Sequence, residues 1–165
     1  MGVIDTFLTV INIILTVVSL VGAYKSIKYF RKSKNLTIFA QTNKALIEIQ
    51  KMLIKLPEAL TASNKSSCGK KGFSLRNTLC DIGKELNTSL TEIGSNIPAN
   101  YSDELRKLQN IDSFNLQNYI NSLISGEAIQ GNIIDGNTYN ICQERLAEMR
   151  DYLKRLVEET EEKLK

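Results

Sequence analysis

The chain has 165 residues, 42% of them hydrophobic and 24% charged, with 21 basic against 18 acidic side chains and a formal net charge of +3. It contains no histidine, which removes the commonest general base, and it carries no Gly-x-x-x-x-Gly-Lys-Ser/Thr, Gly-x-Ser-x-Gly or His-Glu-x-x-His arrangement. An enzyme is not expected, and nothing in the sequence calls for a cofactor.

Charge and hydropathy are unevenly spread. Thr6 to Tyr24 is uncharged, and with Val3 and Ile4 the apolar stretch reaches the roughly 20 residues that cross about 30 Å of hydrocarbon as a helix. A cleavable signal would carry its positive charge ahead of the apolar run and a small-residue site behind it. Here no Lys or Arg precedes residue 5, and Tyr24-Lys25-Ser26-Ile27 follows. A buried core helix would show a charged face, and this run has none. The expectation is a retained transmembrane helix over 3–24, a basic juxtamembrane collar over 25–34 and a cytosolic helical domain over 35–165.

Lys25, Lys28, Arg31, Lys32 and Lys34 stand against a single Asp5 on the other flank. The positive-inside rule then puts the N-terminus outside and the remaining residues in the cytosol, a single pass through the inner membrane. Tyr24, Tyr29 and Phe30 suit the aromatic belt at that interface. Met-Gly-Val-Ile-Asp-Thr matches a myristoylation pattern, but an external N-terminus could not meet the transferase.

Within the span, Asp5, Thr9, Asn12, Thr16 and Ser19 are spaced 4, 3, 4, 3, and Ala23 and Ser26 continue the series. They form one helical stripe. Small and hydrogen-bonding residues are the usual interface of packed transmembrane helices. A carboxamide such as Asn12 wants a partner or water, whereas Thr and Ser can bond the backbone of the preceding turn. With one span per chain, the expected partner is a second copy. Two outcomes remain open: a dry interface, or a polar-lined pore in a ring of three or more copies with Asp5 at its outer mouth.

Residues 35–165 hold 16 basic and 17 acidic residues and only Pro57 and Pro98, which suits one helical domain. A first cytosolic helix, separate from the span or continuous with it, is predicted over about 36–60. It places Leu46, Ile49, Leu53, Leu56 and Leu60 in a stripe that Ile38, Phe39, Ile47, Met52 and Ile54 widen. "TASNKSSCGKKG" breaks it. A second helix runs from about Ser74 to Ile93 with Gly94 as its stop, and "SNIPANYSDEL" reads as a loop ending in an N-cap at Ser102.

A third, irregular helix spans about 103–124 with a break near Asp112-Ser113. After a glycine-containing connection, the last runs from about Thr138 to Leu164 with Cys142, Leu146, Met149, Leu153 and Leu156 at heptad spacing. The expected fold is therefore all-α: one transmembrane helix followed by a cytosolic bundle of about four helices, homo-oligomeric.

Cys68, Cys80 and Cys142 form no Cys-x-x-Cys pair, so reduced cysteines, with Cys142 packed in the core, are expected rather than a zinc site. Glu144, Arg145, Glu148 and Asp151 read as a solvated helix face. One loop has the character of a binding element. "NKSSCGKKGFSLR" gathers Lys65, Lys70, Lys71 and Arg76 without an acid at the start of a helix, with Phe73 available to stack on a base. Its expected ligand is a nucleotide or single-stranded nucleic acid.

The layout of one N-terminal span with a polar stripe, a basic collar and a helical cytosolic domain resembles the small membrane effectors of bacterial anti-phage systems of the Hailong and CBASS types. That resemblance implies an oligomeric effector that depolarises or breaches the membrane, with a cytosolic part that senses an oligonucleotide or cyclic nucleotide. The other functional class in play is a non-conducting membrane-anchored scaffold that holds a protein partner.

Overall fold

An apolar run that passes into an amphipathic run with no proline between them has no local cause to break, and it does not. The computed structural model describes residues 3–67, 74–111, 114–127 and 136–165, giving backbone alone for 3–11, 63–67 and 111. Helix α1 is continuous over Val3–Ser67, 65 residues and about 98 Å at 1.5 Å per residue. The span, the collar and the first cytosolic helix are thus one element. Pro57 lies inside it without stopping it, and the Thr61 hydroxyl donates to the Pro57 carbonyl at 2.9 Å.

The buried line of α1 is Thr42, Ala45, Ile49, Met52, Leu56 and Ala59, a 3-4-3-4-3 repeat. It shares only Ile49 and Leu56 with the leucine stripe expected from sequence; Leu46, Leu53 and Leu60 are partly buried at its flank. Three alanines, Ala45, Ala59 and Ala62, are buried along this face, where small side chains let neighbouring helices approach closely. A search for large apolar residues passes over them. The correction is sharpest at Ile47 and Ile54, expected in the stripe but 52% and 74% exposed.

Helix α2, Leu75–Asn96, is capped by Ser74, whose Oγ accepts from the Asn77 N–H at 3.3 Å. Gly94 does not stop it. It sits exposed within the last turn, and the helix runs on until Ile97 takes an extended backbone, as a residue before proline must. Helix α3, Ala99–Gln109, starts ahead of the expected cap: Pro98, extended at φ −60 and ψ 143, is the N-cap residue, so Ser102 lies inside the helix and donates to the Ala99 carbonyl at 2.8 Å.

The expected helix over 103–124 is in fact two. Asn110–Ile111 (β1) and Phe114–Asn115 (β2) form a two-residue antiparallel ladder, and α4 follows over Leu116–Ser125. The break falls where expected, although Asp112 and Ser113 lie outside the described residues. Asn115 caps α4 by accepting from the Asn118 N–H at 2.8 Å, and Gly126 closes it with φ +82, a left-handed C-cap that favours glycine. Helix α5, Gly136–Glu162, begins two residues before the predicted Thr138.

Polar pairs fix the packing direction. Lys44 meets Glu92, Ser89 meets Glu48 and Lys55 meets Glu85, so α2 runs antiparallel to α1. Gln117 donates to Asn87 at 2.8 Å, and α4 passes over Gly83, antiparallel to α2. Helix α5 buries Tyr139, Cys142, Leu146, Met149, Leu153, Leu156 and Thr160, a 3-4 repeat matched to that of α1. Its C-terminal end arrives beside residues 24–35 of α1, so this pair is antiparallel too. The chain is all-helical: one long N-terminal helix whose distal half is the spine of a helical bundle.

Candidate functional site

α1 is the described helix that is long and apolar enough to cross a membrane, and none of its most apolar 18-residue window is buried by the rest of the chain. Ile13, Ile14, Leu15, Val17, Val18, Leu20 and Val21 are all about half exposed or more. Seven large apolar side chains left uncovered on one short segment form the kind of surface that soluble monomers avoid.

Asn12, Thr16 and Ser19 are exposed on this segment, and the Thr16 hydroxyl donates back to the Asn12 carbonyl at 2.8 Å. The threonine is thus satisfied within its own helix. The Asn12 carboxamide has no partner among the described residues. The Asp5 and Thr9 side chains lie outside the described residues.

The position of the bundle gives the stripe a direction. The buried line at 42, 45, 49, 52, 56 and 59 continues backwards in the same 3-4 steps through Ile38, Asn35, Arg31, Lys28 and Tyr24, of which all but Ile38 line the cleft against the end of α5. Each stripe residue lies two positions beyond a residue of this line. Two positions turn the chain about 200°, but a 3-4 repeat also drifts about 20° per heptad on a straight helix, so over the roughly five heptads that separate the stripe from the buried line the two directions come to lie only about 60° apart.

The cleft itself is a second candidate. It encloses about 600 Å³ and brings Lys28, Arg31 and Lys32 of the collar together with Lys163 and Lys165 from the far end of the chain. Tyr24 and Leu164 supply apolar walls. Lys165 also pairs with Glu161 at 3.1 Å, whereas Lys28, Arg31, Lys32 and Lys163 have no carboxylate partner among the described residues. Five cations around a groove attract phosphate groups. Sequence reasoning found the collar and missed Lys163 and Lys165, because residues more than 130 positions apart meet only through the antiparallel course of α5.

Of the loop residues expected to bind a ligand, Lys70, Lys71 and Phe73 lie outside the described residues, as does the Lys65 side chain. Arg76 is described and exposed. Its Nε is 3.4 Å from where a Cβ on Gly126 would stand, so it lies over the C-terminal end of α4, where a cation is favoured by the helix dipole. The structure brings Arg76 to that cap and not to the collar.

Inside the bundle, Glu48 is nearly buried and accepts from Lys51 at 2.6 Å and from the Ser89 hydroxyl at 2.9 Å. The Lys51 ammonium chiefly, with Ser89, holds its carboxyl below the usual range against the opposing effect of burial. Glu85 and Glu58, each 2.9 Å from Lys55, raise the pKa of that lysine. Cys142 is buried, as expected, and burial pushes its thiol up to about 12. These groups tie α1 to α2 and fill the core. No family model, no curated protein and no solved structure matches this chain.

Proposed function

We propose that this chain is a single-span inner-membrane protein whose copies associate through the Thr9–Asn12–Thr16–Ser19 stripe and that the assembly conducts ions or breaches the bilayer in anti-phage defence. The N-terminus lies outside and the bundle in the cytosol. The observation that carries this reading is the polar stripe on a lipid-length helix that the rest of the chain leaves uncovered. An amide group facing lipid is costly, and an identical stripe on a neighbour relieves that cost. Lining by Thr, Asn and Ser gives a wettable path once three or more copies close a ring.

The bundle acts as the gate. A nucleotide or single-stranded oligonucleotide held by the cationic cleft or by the Lys65–Arg76 loop shifts the closed and open populations through its different affinity for the two. The chain performs no catalysis.

Expression in liposomes loaded with an ion-sensitive dye tests the conducting claim. Asn12→Leu and Thr16→Leu are expected to lower leakage while leaving expression and helicity intact. Leakage equal to wild type in both variants removes the pore and leaves an anchored scaffold. The two ligand sites separate by charge reversal. Lys70→Glu with Lys71→Glu, and Arg31→Glu with Lys163→Glu, are compared for retention of a single-stranded oligonucleotide across salt. The pair that touches the ligand weakens binding and flattens the dependence of log K on log salt by about 0.7 for each phosphate no longer neutralised.

A further inference from the structure

The stripe does not end at the membrane. Continued in 3-4 steps beyond Ser26, it runs through Phe30, Ser33, Thr37, Ala40, Lys44, Ile47, Lys51, Ile54, Glu58 and Thr61, and every one of these positions is exposed. Over the same stretch the line two positions back is buried from Thr42 to Ala59. One heptad seam of α1 is therefore uncovered from Asn12 to the far end of the bundle, its drift of about 20° per heptad being what a left-handed coiled coil takes up, and its chemistry changes along the way. Where the surroundings are hydrocarbon the seam is Asn, Thr and Ser; where they are water it presents Ile47 and Ile54 set between Lys44, Lys51 and Glu58.

Each half is mismatched to its solvent, and one occupant cures both. Lipid cannot cover Ile47, which lies 23 residues beyond Tyr24 and hence about 35 Å past the membrane boundary. A soluble partner could not also reach Asn12. A second copy of α1, laid parallel and in register, brings Asn12 to Asn12, Ile47 to Ile47 and Ile54 to Ile54. In heptad terms the serines, Ala40 and the isoleucines occupy d, and Thr37, Lys44, Lys51 and Glu58 occupy a, where buried polar residues set register. The lysines at a are neutralised within their own chain, Lys51 by Glu48 at 2.6 Å and Lys44 by Glu92 at 3.5 Å, so identical chains do not meet as bare like charges. Ile54 also lines a groove of about 420 Å³ whose opposite wall is Glu85, Leu86, Thr88 and Ser89 of α2, space beside the seam for a neighbour's side chain.

We infer that α1 pairs with α1 of a second copy along its whole length, with Ile47 and Ile54 as the aqueous part of the seam. This rests on the self-association proposed above and extends it out of the membrane. Cysteine oxidation of the full-length chain in native membranes tests it, against a wild-type background that carries Cys68, Cys80 and Cys142. Ile54→Cys and Ser19→Cys are each expected to shift most of the chain to twice its mass. Val21→Cys, across the helix from the stripe, and Glu158→Cys, exposed on α5, stay at the wild-type background. Adducts at Ser19 alone overturn the aqueous seam and leave self-association in the membrane standing. Adducts at neither site overturn both. Adducts at Ile54 alone uphold the seam in water and overturn the membrane stripe. Should cysteine at 54 perturb the fold, Ile47→Glu with Ile54→Glu answers the same question at two exposed positions. Native mass spectrometry in detergent is expected to show fewer copies per particle, and an unchanged copy number overturns the seam.

Discussion

Glu48 is the residue at which the packing of α1 on α2 is most exposed to chemistry. Its carboxylate accepts from Lys51 and Ser89 at the edge of the core, and charge-assisted hydrogen bonds of this kind contribute about 1.5–3 kcal/mol. Glu48→Gln is expected to lower unfolding free energy by about 1–3 kcal/mol at neutral pH, measured as a thermal midpoint in detergent. Because the native pKa is lowered, the contribution is present above the unfolded value and is lost as pH falls through the native one. The gap between wild type and Glu48→Gln should therefore close on acidification, and a gap constant with pH would contradict the assignment. Cys142 works in the opposite direction. Its thiol titrates near 12 in the folded chain against about 8.5 when unfolded, so its contribution is intact below the unfolded value and declines as pH rises between the two. Thiol labelling of the folded chain should modify the partly exposed Cys80 and spare Cys142, since only the thiolate reacts.

Two glycines separate what an element needs from what its neighbours need. A Cβ on Gly83 would stand 2.7 Å from Ile124 Cγ1 and 3.1 Å from both the Ile124 nitrogen and Leu123 Cβ, because α4 crosses α2 there at close range. Gly83→Ala is expected to cost about 1–3 kcal/mol. Gly94 is helical, exposed and has nothing within 4 Å, so Gly94→Ala is expected to stabilise by about 0.5–1 kcal/mol. Urea midpoints of the two variants in detergent should shift in opposite directions. The same glycines mark how far the elements are legible in the sequence. α2 and α5 are readable because Leu and Ile recur at 3-4 spacing, and their buried lines agree with that pattern. Gly94 misleads because glycine signals a stop only when nothing downstream sustains the helix, and here the Asn96 side-chain Nδ2 donates back to the Glu92 carbonyl at 2.6 Å. The core line of α1 is displaced from the expected one because alanines, which permit close approach, leave no mark in a search for large apolar residues.

At the scale of the molecule, sequence periodicity reveals the stripe but not its direction. Local spacing says which residues share a face, whereas which way that face looks depends on where α2 and α5 settle. Lys163 and Lys165 beside the collar are hidden for the same reason, since their position follows from the antiparallel return of α5. The relation between stripe and bundle is a matter of phase, and phase can be reset. Two alanines inserted between Lys34 and Asn35 turn the span by about 200° relative to the bundle, whereas seven restore it to within about 20°. Leakage and Ser19→Cys adducts are expected to fall with two added residues and to return with seven. Equal loss in both would mean that length, and not orientation, is what matters.

The unbroken course of α1 has a mechanical meaning. The helix has no joint between the bundle and its apolar N-terminal stretch, so on the single-span reading proposed above a small turn imposed where α2 and α5 grip it is carried toward Asn12. On that reading, passing a signal across the bilayer boundary needs no hinge: the axle is already engaged.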